Sequence, residues 1–192
     1  MAQQTVAAPA ALTFTVDSTL DYPDDDVSAL GLGTCHTVIN KCTLRAAVME
    51  ANHTSGAGAT VIVPAGIYSL TRSASGGEGE TFGDLNLTTP GAGNPVINIV
   101  GAGAGVTIID ANQLDRVFRI HSNRTANISG LTVRDGLSSL GGGIFNQGIL
   151  TVTNSVVSDN QLTAGGAGGG GLAKNAGTLT LDHSTVRANQ AS

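Results

Sequence analysis

LTVTNSVVSDNQ at 150–161 and LTLDHSTVRANQ at 179–190 are two versions of one phrase, and ANISGLTVRDG at 126–136 is a third. The copies align at offsets of 24 and 29 residues. Val133, Val157 and Val186 then coincide, as do Ile128, Val152 and Leu181. Glycine-rich loops, GGGIFNQG (141–148) and GGGGLAKNAG (168–177), separate the copies, and the longer second loop accounts for the larger offset. A repeat of about 20–30 residues that holds short strands and no helix has one main physical solution. Each repeat makes one turn of a coil, and its strands pair in parallel with those of the turns above and below, giving an all-β solenoid. Inward residues at equivalent positions stack into apolar ladders. Asn160 and Asn189 coincide at a turn, where stacked asparagines hydrogen-bond along the axis. An antiparallel sandwich would instead turn about every 8–12 residues.

Working outward, the same texture reaches back to residue 60. Short apolar runs such as TVIV (60–63), IYSL (67–70), VINIV (96–100), VTIID (106–110) and VFRI (117–120) alternate with glycine or asparagine turns. Before them, LTFTV (12–16) alternates as a strand should, and TLRAAVMEAN (43–52) reads as the helix of the chain. Thr43 is its expected N-cap, with Leu44, Ala47, Val48 and Ala51 on one stripe. The expected division is a flexible or strand-donating tail at 1–11, an N-terminal cap at 12–59, and solenoid turns at 60–192. Within it, TVAAPAALTFTV (5–16) is a candidate donor strand.

Composition agrees and excludes other classes. Charged residues are 12% of the 192 positions, aromatics 3%, and hydrophobic residues 41%, with 27 glycines and a net charge of −5. A coiled coil needs far more charge, and collagen needs glycine at every third position. Two lysines and seven arginines on an acidic chain argue against a nucleic-acid partner. No apolar run reaches the roughly 18 residues that cross a membrane, so no membrane span is expected. Cys35 and Cys42 read as a local disulfide, with two free buried thiols as the alternative. A disulfide favours an oxidising compartment, secreted or cell-surface. Residues 1–11 lack the basic start and apolar core of a signal peptide, and the start after Met1 reads as that of a processed export substrate.

Candidate chemistry is sparse. Asp24, Asp25 and Asp26, with Asp21 nearby, are a candidate oxygen cluster for structural calcium, although the spacing is not that of an EF-hand. No other metal or cofactor is expected. Asp110, Asp115, Arg116, Arg119 and His121 form the densest polar group. Asp135 and Asp159 occupy equivalent positions, while Ala188 breaks that column. Paired carboxylates there would suit glycosidase chemistry, but a solvated turn explains them as well. GAGAG (101–105) lacks the lysine and following helix of a phosphate loop.

CTLRAAVMEAN (42–52) resembles the CSLREA motif of bacterial surface β-helix proteins, departing from it at Thr43 and Ala46. VIVPAGIYSL (61–70), VINIVGAGAGVTIID (96–110) and GGGIFNQGILTVTNSVVSDN (141–160) resemble turns of the pectate-lyase-like superfamily. The resemblance spans about residues 12–192 and implies a right-handed parallel β-helix with a short N-terminal capping helix. It also implies that Arg45, which matches the motif's arginine, anchors the cap. It says little of function, because that superfamily holds lyases, hydrolases, adhesins and structural proteins.

The expected function is therefore that of a non-enzymatic extracellular module: a stalk, an adhesin or a filament subunit that self-associates through its ends. Contact with a cell surface or polysaccharide fits the same reading. The sequence runs out at ANQAS directly after a repeat, an end that reads as one covered by a further turn or another copy. The alternative is a polysaccharide-lyase-like enzyme or a piece of one.

Overall fold

The computed structural model describes residues 10–74, 79–88 and 94–191. The first part of the expected tail and donor segment, residues 1–9, lies outside them. β1 (Leu12–Thr15) leads to the helix α1 (Leu44–His53). A first pass of the chain then makes β2 (Ala59–Val63), β3 (Gly66–Ser69) and β4 (Leu85–Leu87). The second makes β5 (Ile97–Gly101), β6 (Thr107–Asp110) and β7 (Phe118–Ile120). The third adds one strand, running β8 (Thr125–Ser129), β9 (Thr132–Arg134), β10 (Leu137–Leu140) and β11 (Ile144–Asn146). The fourth repeats it with β12 (Ile149–Thr153), β13 (Val156–Ser158), β14 (Gln161–Ala167) and β15 (Leu172–Lys174), and β16 (Thr178–Asp182) and β17 (Thr185–Arg187) follow.

These strands form parallel sheets, visited in a fixed cyclic order. The first sheet is β1-β2-β5-β8-β12-β16, the second is β3-β6-β9-β13-β17, and the third is β4-β7-β11-β15. β10 and β14 pair separately. Every named pairing is parallel and joins one pass to the next, so the fold is all-β and parallel, with α1 the one α-helix among the described residues. The pairing offsets are those of the sequence copies: Ile128 faces Val152, which faces Leu181, and Val133 faces Val157, which faces Val186.

Two features differ from the linear reading. The long runs at 126–133, 149–157 and 178–186 are each two strands in two sheets. A corner residue with left-handed backbone splits them: Gly130 (φ 66°), Asn154 (φ 49°) and His183 (φ 47°). Burial continues past the corner at Leu131 and Ser155, so periodicity alone does not reveal it. The glycine-rich loops also hold structure, since β11 and β15 lie inside them. Glycine serves close approach there: a Cβ on Gly142 would fall 2.2 Å from the Gln161 carbonyl oxygen.

The core is made of columns. Phe14, Val61, Ile99, Ile128, Val152 and Leu181 form one column in the first sheet. Leu12, Ala59, Ile97, Ala126, Leu150 and Leu179 form its neighbour. The second sheet contributes Tyr68, Ile109, Val133, Val157 and Val186. Large and small residues alternate along the Leu12 column as far as Leu150, which lets facing layers interdigitate there. The helix stripe Leu44, Ala47, Val48 and Ala51 joins this core over β1, β2 and β4. Among the described residues no helix is long and apolar enough to cross a membrane.

Ile128→Ala, at a fully buried column position, is expected to cost about 2–5 kcal/mol. Ile149→Ala, on the outer face of β12 and 49% exposed, is expected to stay within roughly 0.5 kcal/mol. Urea denaturation of the two variants checks the contrast, and equal losses would refute the inward-outward assignment.

Candidate functional site

The end that α1 covers is built from the N-cap outward. Thr43 is extended, and its hydroxyl accepts from the Ala46 amide (3.2 Å) while donating to the Tyr22 carbonyl. With the apolar stripe turned into the core, Arg45 meets Asp21. Its Nε donates to Asp21 Oδ1 (2.6 Å) and Nη2 to Oδ2 (3.2 Å). The same guanidinium donates to the carbonyls of Gly83 (2.7 Å), Glu80 (3.2 Å) and Asp84 (3.3 Å). Arg45 therefore ties the N-terminal segment, the helix and the segment before β4 together. Just before the helix, Cys35 and Cys42 form a disulfide with Cα atoms 5.1 Å apart, so neither is a free thiol.

Asp24, Asp25 and Asp26 use their carboxylates separately. Asp24 accepts from the amides of Asp26 (3.0 Å) and His36 (3.0 Å), and Asp26 accepts from the Ser28 hydroxyl (2.6 Å). Asp25 faces His36 Nδ1 at 2.8 Å, and this bond raises the imidazole pKa. Among the described residues no three His, Cys, Asp or Glu side chains gather closely enough to hold a metal.

The densest polar group takes a different membership from the one read in the sequence. Asp110 leaves it: on β6 it pairs with Arg134 at 2.8 Å, in another sheet from Arg119. Asp84 and Asn86 join it. Arg116 Nε lies 2.7 Å from Asp84 Oδ2 and 3.7 Å from Asp115 Oδ1. The Arg116 Nε–H is not aligned on either oxygen, so the contact is an ion pair rather than a hydrogen bond. Asn86 donates to Asp84 (2.6 Å) and faces His121 Nε2 (2.9 Å). The guanidiniums of Arg116 and Arg119 lie 5.5 and 6.0 Å from the Phe145 ring centre. Burial, reinforced by the Asp115 charge, raises the Asp84 pKa to about 7. Chemically this is a carboxylate pair, one member of which titrates near pH 7, beside two cations. No sequence signal marks Asp84, because it precedes a three-residue strand and joins Asp115 only through the stacking of passes.

Asn160 and Asn189 do stack. Asn160 Nδ2 donates to Asn189 Oδ1 (2.9 Å), and the Asn160 amide reaches the same oxygen (3.0 Å). Asn160 Oδ1 accepts from the Gly136 amide one pass earlier (2.9 Å). Each asparagine side chain thus replaces a missing strand bond at a corner. Asp135 (φ 54°), Asp159 (φ 59°) and Ala188 (φ 53°) precede Gly136, Asn160 and Asn189, all in left-handed backbone. Aspartate tolerates that conformation, so the column answers to the turn rather than to paired carboxylate chemistry.

Arg124 stands in no motif of the sequence. Fully buried, it donates to the carbonyls of Pro95 (2.6 Å), Asn52 (3.2 Å) and Thr88, joining the end of α1 to the following passes. Burial lowers its pKa to about 10.

Compared with known proteins, the chain matches no family model, no curated protein and no solved structure.

Two measurements test the site. Arg45→Met strands Asp21 in the interior and is expected to cost on the order of 3–5 kcal/mol, with Arg45→Lys recovering only part because it cannot form the fork. Asp84 binds its proton more tightly folded than unfolded. Its stabilising contribution is thus complete below about pH 4 and gone above about pH 7. Thermal melts at pH 4, 5.5 and 7 are expected to fall more steeply for the wild type than for Asp84→Asn. Parallel slopes would show that Asp84 is ionised throughout.

Proposed function

We propose that the chain is an extracellular structural module: a right-handed parallel β-helix of the CSLREA-bearing surface type, working as a stalk, adhesin or end-stacking filament subunit. The cyclic order of the parallel strands supports the helix, and the motif at 42–47 supports the family. The disulfide is compatible with secretion, as is the absence of a long apolar helix among the described residues.

One observation carries the mechanical reading. Leu181 and Val186 are 44% and 45% exposed, whereas Val152 and Val157, their partners one pass earlier, are fully buried. β16 and β17 are the outer strands of their sheets. Their face has the backbone pattern and apolar surface of an interior layer, which suits it to contact with a second copy in the same register. A neighbouring copy seated on it would make a head-to-tail contact that propagates.

The second reading, a polysaccharide-lyase-like enzyme, has its best support in Asp84, Asp115, Arg116 and Arg119. The two readings separate by experiment. Sedimentation and negative-stain microscopy of the purified chain are expected to show end-to-end assemblies that Leu181→Asp disperses. A monodisperse monomer that releases unsaturated sugars from an acidic polysaccharide would sink the structural reading.

A further inference from the structure

An open groove of about 660 Å³ runs beside β3, at the opposite end of the second sheet from β17. Leu20 and Tyr22 line one side, and Ile67, Ser69, Arg72 and Phe82 the other. β3 is the outer strand of its sheet and, among the described strands, pairs with β6 alone. The Gly66 and Leu70 amides each donate to the β6 side at 2.8 Å, so alternate residues of β3 face β6. The intervening Ile67 and Ser69 turn their N–H and C=O groups away from it. The segment at 17–22 passes by without a backbone hydrogen bond to β3 among the described residues. Among the described residues, two amides and two carbonyls are thus left as a short template for another strand.

The groove's side chains define what fits. Leu20 and Ile67 are each 53% exposed, and Tyr22 and Phe82 add aromatic surface. The Asp21 charge is matched by Arg45, and the Thr71 and Arg72 amides also bond its carboxylate. Arg72 lies 4.6 Å over the Phe82 ring and gives Nε to the Thr81 carbonyl (2.6 Å), a neutral partner. On a chain of net charge −5 this is a local cationic site beside apolar surface.

We propose that the groove binds an extended acidic segment of a partner protein as a strand added to β3. Ile67 and Ser69 pair with its main chain, Leu20 and Tyr22 hold its apolar side chains, and Arg72 takes a carboxylate. Head-to-tail stacking would bring another copy against this same end of the second sheet, so the titration is made on Leu181→Asp protein, whose substitution lies at the far end and leaves the groove intact.

The test is calorimetric titration of the whole chain with an N-acetylated peptide, Thr-Val-Thr-Val-Asp, bearing a free C-terminal carboxylate. Saturable one-to-one binding that weakens with salt is expected. Arg72→Ala is expected to weaken it about tenfold or more, with an unchanged melting curve showing that the fold is kept. Methylating alternate peptide nitrogens keeps every side chain and charge but blocks the ladder, and is expected to abolish binding without any change to the protein. Equal affinity for the methylated peptide overturns the proposal. So does no binding of the parent peptide, whether or not an acidic oligosaccharide binds in its place.

Discussion

The structure depends on one constraint: each strand pairs in parallel with the same stretch of the next pass. Side chains alternate across a strand, so a one-residue slip would turn a whole inward set to solvent. In register, like stacks on like, and the columns from Phe14 to Leu181 and from Leu12 to Leu179 follow. Few aromatics are needed because each layer is thin and each column is filled by the layers above and below. The outer faces bear the polar half of the alternation, as where Asn127 donates to Asn98 at 2.8 Å.

Corners and ends are where this pairing fails, and the polar residues gather there. Asn160 and Asn189 complete hydrogen bonds at one corner, and Asn146 does so at another by donating to the Thr178 carbonyl and accepting from Gly148. Arg45 and Arg124 bind carbonyls that no strand reaches. A buried cation surrounded by carbonyls is stable only while every segment it holds stays in place, so these arginines make the covered end cooperative. The Asp84 group does the same over the third sheet, since Arg116 also reaches the Leu140 carbonyl. Its raised pKa follows from burial, which a fastening network needs as much as a reactive one does.

Repetition made the parallel architecture legible in sequence. Offsets of 24 and 29 residues state which residues must pair, and the registers use those same partners. The helix was legible too, because Thr43 and the stripe from Leu44 to Ala51 are local signals. The corner at Asn154 was not, because the inward-outward alternation runs on through it and Ser155 stays buried. The strands inside the glycine-rich loops were hidden for a related reason: three residues are too few to show a period.

The sequence by itself determined what repeats and which side chains face inward, because stacking acts between equivalent positions and needs no further information. Only the tertiary structure decided which distant groups meet. It brought Asp84 to Asp115 and Arg45 to Asp21, and it left the far edge of β3 beside an open groove. Those relations depend on how many residues each pass spends at its corners, and a corner's length sets geometry without leaving a pattern in the residues it joins.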